Sequence, residues 1–303
     1  MNQVLVSALQ LGISLFLAPL VPGVINRVKA IMAGRRGQPL FQAYFDLAKL
    51  FSKGSVYSRT TTWVFRLGPS LGCAAALTAL ALLPWGAAGG LLSFEGDLIL
   101  FAGLFGLMRF LTILAALDTG SAFEGMGASR EAWFSALAEP ALLLGLASLA
   151  CTAQSLSLAQ ILSGPGIGGG RGAAVLLAAG AVFIVFLSEN ARIPVDDPNT
   201  HLELTMIHEV MVLDHSGVDF GYIQYGSFLK LWALGGLLVG ILRPKTGLWA
   251  ADLAAGLGGM LCVGIATGLV ESLIARLRLA RVPQLLVAAV AMSALALALS
   301  LVR

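Results

Sequence analysis

Charge is scarce in this chain, and so are the residues that build metal and nucleophile sites. Only 12% of its 303 residues are Asp, Glu, Lys or Arg, and 58% are hydrophobic; soluble globular domains carry about 25% charged residues. The imbalance excludes an ordinary soluble domain and implies a polytopic membrane protein. A net charge of +3 gives no reason to invoke nucleic acid, because the basic residues are spread by loop rather than gathered on one helix. Cys73, Cys151 and Cys262 each stand alone in an apolar run, with no CxxC pair and no histidine nearby. That excludes a zinc or iron–sulfur ligand set of local spacing and leaves them as core residues. The glycine-rich stretch 163–172, SGPGIGGGRG, follows no strand and lacks a GKS or GKT ending, so it reads as a turn rather than a phosphate cradle. The first apolar segment has neither a basic leading region nor a small-x-small cleavage site and is expected to be retained.

What the chain does have is long apolar runs. A bilayer core of about 30 Å takes roughly 20 residues of helix, and eight runs qualify, near 3–22, 66–84, 97–117, 132–152, 173–189, 221–242, 252–273 and 282–301. Runs of this length without alternation satisfy their backbone in lipid only as helices. The fold class expected is therefore all-α, one integral membrane domain over 1–303 with about eight spans. Thirteen of the nineteen Lys and Arg residues fall in the odd-numbered loops and four on the opposite side. Retention of basic loops in the cytoplasm then puts both termini outside and the loop after span 5 inside. In the first loop Gln42, Asp46, Lys49 and Lys53 form a polar stripe, opposed by Leu40, Tyr44, Leu47 and Phe51. This pattern predicts a helix in the cytoplasmic interface, acting either as a surface anchor or as the roof of a cavity that meets a partner.

Charges inside the spans carry the next signal, because each costs about 2.5–3.5 kcal/mol at mid-membrane unless it faces the bundle interior with a partner. Arg109 lies in span 3, Glu139 in span 4, Lys230 in span 6 and Glu271 near the end of span 7; Asp118 closes span 3. Arg109 and Asp118 are about 13.5 Å apart along a helix and do not pair directly. Two readings stand. Either Arg109 and Glu139 make a structural pair while Asp118 and Glu271 sit at wet helix ends, or the set forms stations on an ion path.

The charge missing elsewhere is concentrated in residues 188–220, which hold seven of the sixteen acids and all three histidines. Pro194 and Pro198 break the helix after Glu189 and Arg192. Thr200 followed by Glu203 reads as a capping box that starts a new helix, in which His201, His208 and His215 recur every seven residues on one face. Steps of about 10.5 Å are too long for a shared metal. Glu203 and Glu209 remain as hydrogen-bonding or proton-accepting groups with histidine as relay, or the segment is a polar helix packed on a peripheral subunit.

The run Glu189-Asn-Ala-Arg192-Ile-Pro194-Val-Asp196-Asp-Pro198-Asn-Thr-His201-Leu-Glu203-Leu-Thr-Met-Ile-His208-Glu209 resembles the corresponding loop of membrane subunits of group 4 energy-converting [NiFe] hydrogenases, the formate hydrogenlyase subunit 4 family, itself related to complex I subunit 1. The Gln42, Asp46, Lys49, Leu50, Lys53 pattern, the Leu117-to-Ser121 run and the Arg109-to-Asp118 spacing are similar to that family as well, so the resemblance extends over essentially the whole chain.

The resemblance implies an anchor for a soluble hydrogenase module that couples redox energy to proton or sodium movement, with no catalytic centre on this chain. The [NiFe] centre and iron–sulfur clusters would sit on partners: hydrogenase large and small subunits, an iron–sulfur subunit and antiporter-like membrane subunits. Glu189, Arg192, Asp196, Glu203, His208 and Glu209 would line the cytoplasmic junction, and Arg109, Asp118, Glu139, Lys230 and Glu271 would be ion-path residues, in the cytoplasmic membrane of a prokaryote. The alternative is a complex I type subunit shaping a quinone chamber. Val195 after Pro194, with His201 and Leu202 where more acids are expected in quinone-reducing relatives, favours the hydrogenase branch.

Overall fold

The computed structural model describes residues 3–85, 89–164, 171–196, 206–243 and 248–302. Eleven α-helices occur among them: α1 Gln3–Leu17, α2 Leu20–Met32, α3 Gln42–Phe51, α4 Trp63–Leu82, α5 Asp97–Asp118, α6 Ala122–Ala153, α7 Leu158–Ser163, α8 Gly172–Glu189, α9 Gly217–Leu242, α10 Trp249–Leu273 and α11 Val282–Leu301. Short 3₁₀ turns cover Glu209–Val212 and Leu279–Arg281. Seven of the described helices are long and apolar enough to cross a bilayer by themselves, and α1 with α2, bent by 43°, is long and apolar enough as a pair. The all-α reading of the sequence stands.

α9 is the central post, buried from Phe228 to Val239 almost without interruption. Around it α4 packs on α5, α11 on α6 and α8, and α2 on α10. Small side chains permit the close approaches expected where lipid gives helices no hydrophobic drive to associate. A Cβ on Gly268 would meet the Val28 side chain, and one on Gly235 would meet Met260.

Three boundaries differ from those read in the sequence in ways that bear on the site. Span 1 is a bent pair reaching Met32, so Arg27 and Lys29 belong to α2 rather than to a loop; Pro19 has no N–H to continue the α1 ladder and forces the bend. Span 4 starts ten residues early, at Ala122, because its first turns form the bed for residues 206–214. The interfacial helix is shorter than its stripe: α3 ends at Phe51 and leaves Lys53 beyond it. Within α3 the Gln42 amide donates to Asp46 at 2.8 Å, Lys49 is exposed and Leu47 is buried.

The helix expected from Thr200 is corrected in part. Residues 197–205, including His201 and Glu203, lie outside the described residues, but from Met206 to Ser216 the chain forms turns and one 3₁₀ turn. His208 and His215 therefore share no helix face. The reason is competition for backbone donors. Asp196 accepts from the N–H groups of Ile207 and His208 at 3.3 Å each, Glu124 accepts from Asp214 N–H at 3.1 Å, and Arg130 donates to the Met206 carbonyl at 2.9 Å.

Candidate functional site

The site forms where α5, α6, α8 and α9 meet this irregular segment. α8 ends in a Schellman motif, with Arg192 N–H donating to the Leu187 carbonyl and Ala191 N–H to that of Ser188. Ala191 takes the left-handed conformation there (φ 49°), a position that glycine usually fills. This stop brings Glu189, on the last turn, against Arg109 of α5. The Arg109 guanidinium has three carboxylate partners: Nη2 donates to Glu189, Nη1 donates to Glu139, and Nε lies 3.4 Å from Glu131. Lys230 of α9 stands 3.7 Å from the second oxygen of Glu189, and His208 Nδ1 stands 3.3 Å from Glu131. Arg109, Glu131, Glu189 and Lys230 are all nearly buried.

These groups border a cavity of about 220 Å³. Arg109, Glu131, Glu189, Arg192, Lys230, His208 and Glu209 supply its ionisable wall, and Met108, Met211, Phe220, Ile223 and Phe228 supply much of its apolar wall. Arg109 and Lys230 thus face Glu131, Glu139 and Glu189, with the His208 ring beside Glu131. Buried charges persist only when paired in this way, and a low-dielectric setting makes the group responsive to one added proton.

Two further ion-pair groups fix the neighbouring chain. Glu271 of α10 meets Lys29 of α2 at 2.7 Å and Arg192 at 3.5 Å. Asp196 meets Arg276 at 2.7 Å, while Leu277 N–H donates to the Pro194 carbonyl at 3.0 Å. They tie the turn after α8 to α2 and to the α10–α11 connection.

The residues singled out in the sequence thus separate into groups. Arg109, Glu139, Glu189 and Lys230 come together, with His208 and Glu209 on the same cavity. Arg192 also lines that cavity and pairs with Glu271, which does not. Asp196 is turned inward as a clamp on backbone N–H groups. Asp118 is a cap: its carboxylate accepts from Thr62 N–H at 2.7 Å, from the Thr62 hydroxyl at 2.9 Å and from Phe65 N–H at 3.3 Å, holding the start of α4. Two members escaped the sequence reading. Glu131 sits one residue before the apolar run and reads as loop, and Lys29 reads likewise. The Ser121-x-x-Glu124 spacing was the available signal that α6 begins early enough to carry Glu131 on a helix.

Comparison with known proteins follows the same lines. The NADH dehydrogenase family profile matches residues 5–302. The chain is 33% identical over 287 residues to formate hydrogenlyase subunit 4 of Escherichia coli, covering 88% of this chain and 89% of the relative. It is 33% identical over 235 residues to hydrogenase-4 component C of the same organism, covering 78% and 74%. An NADH-quinone oxidoreductase subunit of Syntrophotalea carbinolica is 27% identical over 213 residues, covering 66% and 62%. In fold, a chain of the membrane-bound sulfane sulfur reductase, an archaeal respiratory membrane complex, superposes with a TM-score of 0.84 at 23% identity, covering 99% of this chain and all of that one. With a family match over nearly its whole length and seven membrane-length helices among the described residues, this chain belongs to the NADH dehydrogenase family as a multi-pass membrane subunit.

Proposed function

We propose that the chain is the membrane-anchoring, ion-coupling subunit of a hydrogenase complex of the formate hydrogenlyase kind, seated in the cytoplasmic membrane of a prokaryote beneath a soluble [NiFe] module. The observation that carries this reading is the charge cluster built on Arg109, set in the membrane-spanning helices and bordering a cavity whose rim holds His208. The 33% identity to formate hydrogenlyase subunit 4 over most of both chains supports the choice of complex.

The chain's part is electrostatic. Turnover in the soluble module changes the charge near the cavity mouth, beside His208 and Glu131. Arg109 then redistributes among Glu131, Glu189 and Glu139, with Lys230 holding Glu189 as it does so. Hydrogen chemistry and electron transfer take place at a [NiFe] centre and iron–sulfur clusters on partner subunits, and antiporter-like membrane subunits complete the ion movement.

A second reading, a complex I type subunit that shapes a quinone chamber, is favoured by the apolar wall of the same cavity and by the 27% identity to an NADH-quinone oxidoreductase component. Affinity purification from native membranes separates the two. Co-purification of a [NiFe] large subunit with hydrogen evolution is expected; quinone-dependent turnover without hydrogen, in a preparation lacking that subunit, selects the second reading.

A further inference from the structure

Of the carboxylates on the spanning helices that enter ion pairs, Glu131, Glu189 and Glu271 are 10%, 5% and 0% exposed. Glu139 is 48% exposed. Its open half does not face the cavity, whose wall includes Arg109, Glu131 and Glu189 but not Glu139. It lies beside Gly106 on α5, and the positions at helical spacing from these two, Leu143 on α6 and Leu107 and Phe110 on α5, carry exposed apolar side chains. Glu139 lies seven residues inside the apolar run that begins near 132, about 10.5 Å along the helix at 1.5 Å per residue. Acyl chains solvate no carboxylate, so an exposed one on a spanning helix calls for a partner. Arg109 satisfies only one of its oxygens.

We propose that this flank seats a transmembrane helix of a neighbouring membrane subunit, which presents a cationic side chain, Lys, Arg or His, to Glu139. The surface is shaped for a helix. Gly103 has open space where a side chain would project, and Gly106 lies beneath Glu139, where a Cβ would come 3.4 Å from its carboxylate oxygen. Ala132 and Ala136, on the same face of α6 as Glu139, are small and exposed. Small residues let helix backbones approach closely in lipid. A second copy of this chain fits poorly, because a two-fold contact here would set carboxylate against carboxylate. Arg109 then bonds both the cavity acids and the acid that meets the neighbour, so this subunit's cluster and the next subunit share one guanidinium.

The test uses the intact complex in its membrane, with the photo-reactive residue p-benzoylphenylalanine placed at Leu143 and, as a control, at Leu295, an exposed position on α11. Irradiation at Leu143 is expected to give an adduct with a different membrane protein, mapping to an apolar segment with Lys, Arg or His within one turn of the cross-linked residue. Adding Glu139→Leu should cut that yield about tenfold through loss of a charge-assisted contact, while lipid adducts at Leu295 stay unchanged. Adducts with lipid alone, with a second copy, or with a segment lacking a cation would overturn the proposal, as would a yield that holds or rises with Glu139→Leu. The flank is independent of the redox module: a cation-bearing membrane partner is expected here whether or not the purified complex evolves hydrogen.

Discussion

Replacing Arg109 with methionine removes the charge that joins three carboxylates while keeping an unbranched side chain in the same space. The three acids do not suffer equally. Glu189 keeps Lys230 at 3.7 Å and Glu131 keeps His208 at 3.3 Å, whereas Glu139 keeps no ion-pair partner among the described residues. Breaking a buried ion pair costs about 3–5 kcal/mol, and the remaining cations put Arg109→Met at the lower end, about 3 kcal/mol. At about 2 °C per kcal/mol for a chain of this size, the midpoint of thermal unfolding should fall roughly 6 °C. The assay is thermal unfolding of the detergent-purified complex, run beside Glu139→Gln and the double variant. Because the cost arises from the carboxylate left without its cation, Arg109→Met with Glu139→Gln should recover about half of the loss. A loss under about 1 kcal/mol for Arg109→Met, or a double variant as impaired as the sum of the singles, would refute the reasoning.

Three more outcomes follow from the same contacts. His215 is buried with its ring stacked on Phe65 at 3.9 Å, and burial pushes its pKa down to about 4; the unfolded state binds the proton more readily, near pH 6.5, so stability is complete above that pH and declines to pH 4, by at most about 3 kcal/mol. His215→Phe should remove that decline, so the difference between wild type and variant in thermal unfolding changes between pH 6.5 and 4 and is constant above it. Asp118→Ala should cost about 1 kcal/mol through loss of the α4 cap and leave hydrogen turnover per assembled complex unchanged; reduced turnover would return Asp118 to the ion path. Gly127→Ala drives a methyl into Val210 and to within 2.9 Å of the Ile207 carbonyl, so it should cost about 1–3 kcal/mol and, by lifting residues 206–214 from α6, speed hydrogen exchange at the Ile207 and His208 amides.

The apolar runs and the charges within them were legible because bilayer thickness and desolvation act on the sequence directly: a run of about 20 apolar residues has one use, and an arginine inside it must find acids. Arg109, Glu139 and Lys230 were recognisable for that reason. What stayed hidden depends on contacts far apart in the chain. Asp118 reads as a wet helix end until Thr62, 56 residues away, places the start of α4 upon it. Glu131 reads as loop because α6 extends past the membrane-length run to carry residues 206–214. The histidine heptad suggested one helix, and side chains of Asp196, Glu124 and Arg130 took the backbone groups that such a helix needs.

The central claim, that the Arg109 cluster couples hydrogen turnover to ion movement, is tested most directly with the purified complex in sealed proteoliposomes, reading hydrogen evolution from a reduced viologen together with a membrane-potential dye. Wild type should build a potential as hydrogen is produced, and Glu131→Gln, which keeps the shape of the carboxylate that pairs with both His208 and Arg109, should retain the [NiFe] module while losing the potential. A Glu131→Gln complex that evolves hydrogen and charges the vesicles as wild type does would contradict the account.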